Sequence, residues 1–237
     1  MTATTATRRP RVLPALAVTP MLRWTIAAHS VPDDQPWRTA CSCGLPLWDY
    51  AVRLSGRCVR CGQRVGPPSG AVEAAAVVAA LGLLASGLTG WPLAAYAWWT
   101  TGMIVLAFID LAVMRLPHRI TAITTAGFLG LLAADGSTAA LIRAVTAGLV
   151  LAAFFTVVAV AARGQLGWGD PALAAPIGAA LGWYGWTDLY GGTLLGLGAA
   201  AITGLVLRRT GRLTRGTPIP LGPFLIAAAT LVVAVHP

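Results

Sequence analysis

Trp91-Pro92-Leu93-Ala94-Ala95-Tyr96-Ala97-Trp98-Trp99-Thr100-Thr101-Gly102-Met103-Ile104-Val105-Leu106-Ala107-Phe108-Ile109 runs without a charge and then meets Asp110. Its length approaches the roughly 20 apolar residues needed to cross a bilayer. The carboxylate that follows is expensive beside hydrocarbon, about 3 kcal/mol at the middle of a span, so it reads as functional by default. A second acid repeats the pattern: Asp170, in Gly167-Trp168-Gly169-Asp170, opens another apolar run. The 237 residues contain only eight acidic side chains, which makes these two placements informative.

Working outward from that stretch, the chain is 57% hydrophobic and 11% charged, with a mean hydropathy of +0.72. Such a composition excludes an ordinary soluble domain. The expected fold class is an all-α polytopic membrane protein with about seven transmembrane helices and a small Cys-rich module near the N-terminus. The apolar spans run approximately Ala71–Gly90, Trp91–Ile109, Ile120–Ala134, Thr138–Ala162, Ala172–Trp186, Leu189–Leu207 and Ile219–Val235. Abundant Ala and Gly let such helices approach closely. Trp91, Trp98, Trp99, Trp183 and Trp186 fall near predicted interfaces, where they read as anchors.

Three segments are expected: a tail over 1–40, disordered or lying on the membrane surface; a cysteine module over 41–66; and a transmembrane domain over 71–237. The basic residues are all arginine, and past the module they cluster between spans. That pattern follows the positive-inside rule and needs no nucleic acid; anionic membrane lipids are the fitting counter-charge. With residues 1–70 cytoplasmic, the loops of Arg115/Arg119, Arg163 and Arg208/Arg209/Arg212/Arg215 are cytoplasmic too, while Arg143 falls on the outer side. Asp110 and Asp170 then share the cytoplasmic face of a multi-pass cytoplasmic-membrane protein.

Two carboxylates a few ångströms apart cannot both ionise comfortably. One can act as base on water while the other, protonated, polarises a peptide carbonyl. The plainer alternative is a helix cap or an arginine pair. For Asp170 that alternative is helped by Pro171, which suits a first helical position. For Asp110 the nearby cations are Arg115 and Arg119. His118 reads as a solvated or lipid-facing residue, Glu73 as a helix N-terminal acid, and Asp135 and Asp188 as turn residues.

Cys41-Ser42-Cys43 and Cys58-Val59-Arg60-Cys61 form the second constellation. Their spacing reads as a pair of zinc knuckles in which four thiolates close a structural tetrahedral site. Gly44 and Gly62 follow each pair, as tight metal-binding turns often require. A cytoplasmic setting argues against disulfides.

Phe108-Ile109-Asp110-Leu111 with Arg115-Leu116-Pro117-His118-Arg119-Ile120-Thr121 resembles the first catalytic motif of prepilin peptidases. Gly167-Trp168-Gly169-Asp170 resembles their Gly-x-Gly-Asp motif, and Ile219-Pro220-Leu221-Gly222-Pro223-Phe224-Leu225 their last-span entrance. The resemblance covers about residues 40–235. It implies an intramembrane aspartyl protease that removes the basic leader from single-span pilin or pseudopilin precursors. Asp110 and Asp170 would be its catalytic pair, supported by Gly167, Gly169, Pro117, Pro220, Gly222 and Pro223. Relatives commonly carry two Cys-x-x-Cys pairs, where this chain has Cys-x-Cys first, and a lysine where it has Ala172. Many also open with a span bearing a Gly-Ser-Phe-Leu-Asn-like stretch, which is not found here. Some methylate the new pilin N-terminus, in which case S-adenosylmethionine would be the cofactor.

Two other classes compete with the protease. A proton-coupled transporter would use the acids as a relay, but transporters often show internal repeats and acids deep within spans. Here no repeat is visible and the acids lie at one edge. A catalytically silent assembly protein fits Ala172, and retention of both aspartates argues against it. No sequence signal assigns an oligomeric state.

Overall fold

The computed structural model describes residues 16–32, 35–162, 167–212, 214 and 219–236. These residues are helical and connecting, with two isolated antiparallel bridges, Ala40 with Pro46 and Arg57 with Arg64. The helices are α1 (Thr19–His29), α2 (Leu47–Ala51), α3 (Ala71–Ala85), α4 (Gly90–Val113), α5 (His118–Ala133), α6 (Thr138–Ala161), α7 (Gly169–Tyr184), α8 (Trp186–Arg209) and α9 (Gly222–Val235). Three of them, α4, α6 and α8, are long and apolar enough to cross a membrane; α3 and α9 are shorter apolar helices.

The seven apolar runs reappear as α3 to α9, with ends displaced by a few residues. Those displacements matter at the acids. α4 continues to Val113, so Asp110 lies inside its last turn, and α7 begins at Gly169, so Asp170 lies inside its first. Neither acid is the N-cap of its own helix: Trp168 holds that position in α7, and Asp110 lies at the C-terminal end of α4. α4 ends at Met114, which adopts a left-handed backbone (φ 50°) while its N–H bonds to the Asp110 carbonyl at 2.8 Å. A left-handed residue with a side chain costs about 1 kcal/mol, which is why glycine usually fills such a position.

Small residues set the closest helix pair, α6 with α7. A Cβ added at Gly178 would lie 2.7 Å from the Ala147 carbonyl oxygen, and one at Gly148 2.8 Å from that of Ala175. Gly178 and Gly182 stand four apart on α7, a spacing that lets two backbones meet. Arg143 belongs to the same contact: its guanidinium donates to the carbonyls of Gly182 (2.8 Å) and Trp183 at the end of α7. The arginine that the charge pattern left on the expected outer side thus satisfies helix-end carbonyls.

Trp99 differs from the expected interface anchor. It is fully buried, and its Nε1 donates to the carbonyl of Pro176 at 2.9 Å. Tyr96 Oη does the same for Ala180 at 2.5 Å. Pro176 lacks an N–H, which removes the ladder bond to the Ala172 carbonyl; the two donors from α4 bind the carbonyls of Pro176 itself and of Ala180 and so tie α7 to α4. Trp91, Trp98 and Trp186 are exposed, in keeping with anchors.

The N-terminal segment also differs. Thr19–His29, expected within a disordered or surface-lying tail, form a helix whose Leu22 and Ile26 bury against Val72, Val105 and Ile109. An apolar cleft of about 250 Å³ between α1, α3 and α4 places Val18 level with Thr100 and Ile104, so α1 runs beside the second half of α4. The physical reason is Arg23. It is 2% exposed, pairs with Glu73 at 2.7 Å, and donates to the carbonyls of Arg53 and Leu54 (3.2 Å to Leu54). A buried arginine is tolerated because its donors are engaged. Glu73 does lie in the first turn of its helix, as expected, and additionally holds α1.

Candidate active site

Asp110 is 4% exposed, and Asp170 is partly buried. The two carboxylates lie close enough that the charge of Asp170 acts on Asp110. Three loops meet around them. A Cβ at Gly222 would lie 2.7 Å from Asp110 Oδ2 and 3.0 Å from Leu173 Cδ2, and the Gly222 N–H faces the Asp110 carboxylate. A Cβ at Gly169 would lie 2.7 Å from Leu116 Cβ. Both glycines are there for closeness of approach. Asp110 Oδ2 is buried with no hydrogen-bond partner among the described residues, which leaves one carboxylate oxygen to a proton or to whatever enters the site.

The remaining singled-out residues support these loops. The Gly167 carbonyl accepts the Asp170 N–H at 3.2 Å, and its own N–H is turned toward the Asp170 carboxylate. Pro117 is the N-cap of α5, its carbonyl accepting the N–H groups of Ile120 (3.0 Å) and Thr121 (3.1 Å). Pro223 fills the first turn of α9, where its missing N–H costs nothing, and Pro220 stands just before it. The arginine alternative does not describe Asp110: the ion pairs among the described residues are Arg23–Glu73 and Asp188–His236. Arg115 instead donates to the Pro32 carbonyl (3.2 Å), and Arg119 lies over the Trp37 ring at 5.6 Å. His118 is exposed, as expected. Asp135 accepts from Ser137 in a turn, while Asp188 meets His236 at 3.6 Å. Arg163 and Arg215 lie outside the described residues.

The profile of the type IV leader peptidase family matches residues 94–235, the stretch that carries all three loops. The chain belongs to the type IV leader peptidase family. The prepilin leader peptidase/N-methyltransferase of Burkholderia pseudomallei strain K96243 is 33% identical over 196 residues, 79% of this chain and 61% of the relative. That of strain 1026b gives the same figures. The prepilin leader peptidase/N-methyltransferase of Pseudomonas aeruginosa is 29% identical over 203 residues, 83% of this chain and 66% of the relative. The chain thus spans less than two thirds of the length of these curated relatives. No solved structure matches it.

This leader peptidase family member carries its cysteines outside the matched residues. Cys41, Cys43, Cys58 and Cys61 offer four sulfurs within 4.8 Å of one another, a group able to hold a metal ion. Cys41 and Cys61 Sγ are 3.5 Å apart, as are Cys43 and Cys58, and all four cysteines are free thiols. Tetrahedral zinc with ~2.3 Å bonds needs sulfurs about 3.8 Å apart, so the donor set fits such an ion. Gly44 and Gly62 have φ of +83° and +70°, and their N–H groups bond back to Cys41 and Cys58 carbonyls at 2.8 and 2.9 Å. The Cys43 N–H directed at Cys41 Sγ holds that thiol down at about 6, while hydrogen bonding to the neighbouring cysteines helps push Cys61 up to about 12. The shorter Cys-x-Cys pair still turns its sulfurs inward. Ala27 and Ala28 of α1 pack on this module, and Arg23 bonds to it; the sequence reading missed that contact, whose signal was an arginine in an apolar helix.

Proposed function

We infer that this chain is an intramembrane aspartyl endopeptidase that removes the basic leader from single-span pilin or pseudopilin precursors at the cytoplasmic membrane face. The observation that carries this reading is the gathering of the two acids: Gly222 lies against the Asp110 carboxylate, Gly169 at the start of the second motif's helix lies against Leu116, and the charge of Asp170 reaches Asp110. Membership of the leader peptidase family supports it, as does the name of the relatives. α3 to α9 then form seven spans, with both acids on the arginine-rich side that the positive-inside rule assigns to the cytoplasm.

In this mechanism the two carboxylates share a proton, since neighbouring acids do not both ionise readily. The ionised member takes a proton from water as its oxygen bonds to the scissile carbonyl carbon. The protonated member donates to the carbonyl oxygen, giving a neutral tetrahedral species. Collapse breaks the C–N bond, returns a proton to the leaving amine, and leaves a new carboxyl on the leader. Cys41, Cys43, Cys58 and Cys61 would hold a zinc ion that braces residues 41–66; with four thiolates as ligands it would supply structure alone.

Co-expression with a precursor tests the proposal. Wild type shortens the precursor by its leader, while Asp110→Asn and Asp170→Asn leave it full length. Cleavage that persists in both variants would sink the aspartyl mechanism. An intact precursor with wild type, accompanied by proton flux in vesicles, would point to a transporter.

A further inference from the structure

Met114 carries two features that the fold does not account for. It is the only residue other than glycine with a positive φ among the described residues, and its side chain is 56% exposed. A helix end in this conformation is satisfied by glycine at no steric cost, and a hydrophobic side chain left largely uncovered adds little to packing. Strain retained beside a functional group is a pointer to function. Met114 sits one turn beyond Asp110, bonded to its carbonyl. The contact of Gly169 with Leu116 brings the second loop to the same edge, where Trp168 is 65% exposed two residues before Asp170.

Resting on the protease reading, we propose that Met114 and Trp168 are specificity-determining residues that seat the apolar segment of the precursor beside the scissile bond. A single-span substrate must bring an apolar helix, partly unwound, up to two buried carboxylates. An unbranched, polarisable methionine adapts to varied apolar surfaces, and an indole offers a broad stiff wall. Lipid exposure alone explains Trp168, since interfacial tryptophans are common. It does not explain Met114, because a lipid-facing helix end has no need of a strained side chain. The arginines that follow Met114 are turned to the N-terminal segment, Arg115 through the Pro32 carbonyl and Arg119 through the Trp37 ring.

The test compares the full-length wild type with Met114→Gly, Met114→Leu and Trp168→Ala, reconstituted in vesicles with a purified single-span precursor. Met114→Gly relieves the backbone, so its thermal midpoint is expected to hold or rise. Its KM is expected to increase about ten-fold with kcat nearly unchanged, the size set by one lost apolar contact. Met114→Leu restores most of the KM, and Trp168→Ala raises it. Normal cleavage with an unchanged KM in Met114→Gly would overturn this proposal alone. A wild type that leaves the precursor intact would overturn the protease reading, and this one with it.

Discussion

Gly222 sits directly against the Asp110 carboxylate, so close that a single methyl on its Cα would fall 2.7 Å from Oδ2. The two residues are far apart in sequence and belong to α4 and α9. Their contact makes the entrance to the last helix part of the wall around the first acid. Gly222→Ala should therefore displace the carboxylate or the helix by a fraction of an ångström while leaving the bundle folded. Small misplacements of reacting groups can cost about 100-fold in rate. Leader cleavage by the detergent-solubilised variant, scored against its unfolding temperature, is the relevant measurement; activity near wild type would show that the contact is incidental.

Asp110 and Asp170 should behave as one unit. Each Asn variant is expected to lose about 10²–10⁴-fold in cleavage rate, the range for general acid–base groups. The double variant should be hardly worse than either single one, because groups acting together are non-additive. Multiplicative losses would mean that the carboxylates work independently.

The Arg23–Glu73 pair joins α1 to α3 at 2.7 Å with both side chains largely out of solvent. Removing one partner strands the other, a cost of about 3–5 kcal/mol for buried pairs. Arg23→Met should thus lower the unfolding midpoint sharply, and Glu73→Gln should lower it less, since an amide can still accept from the guanidinium. Equal, negligible shifts in a thermal melt would contradict the clamp.

Four thiols within 4.8 Å of one another predict one bound metal per chain. Elemental analysis of purified protein should find zinc near equimolar, with Cys58→Ser far below it. Chelation should make residues 41–66 protease-sensitive while α4 to α9 stay resistant, as expected of a small module held by its metal. Full resistance after metal removal would assign the module's stability to its contacts with α1.

Trp99 offers a packing test. Trp99→Phe deletes the donor to the Pro176 carbonyl and leaves most of the ring's apolar contact. A loss of about 1 kcal/mol is expected for one buried hydrogen bond; a much larger drop in stability would mean that indole volume, more than the bond, holds α7 against α4.

Much was legible in the chain because bilayer physics leaves a strong linear trace. Long uncharged runs, arginines between them and two costly acids marked the helices and the candidate site, and the glycines after each cysteine pair forecast their left-handed turns. Trp99 was misread and the role of Arg23 was invisible for one reason: hydropathy scores the residue type and not its partner. An indole beside an interface and an indole bonded to Pro176 look alike in sequence, as do an arginine at a surface and one clamped by Glu73.

By itself, then, the sequence determined that this protein is helical and membrane-embedded, which acids are candidates, and which cysteines could share a metal. Only the tertiary structure decided that Gly222 walls Asp110, that Gly169 seats on Leu116, that Arg23 ties the cysteine module to the bundle, and that Met114 is strained and uncovered beside the site. Hydrophobicity is a property of each residue and sums along the chain. A contact between residues distant in the chain depends on which helix faces meet, and that choice is made by packing.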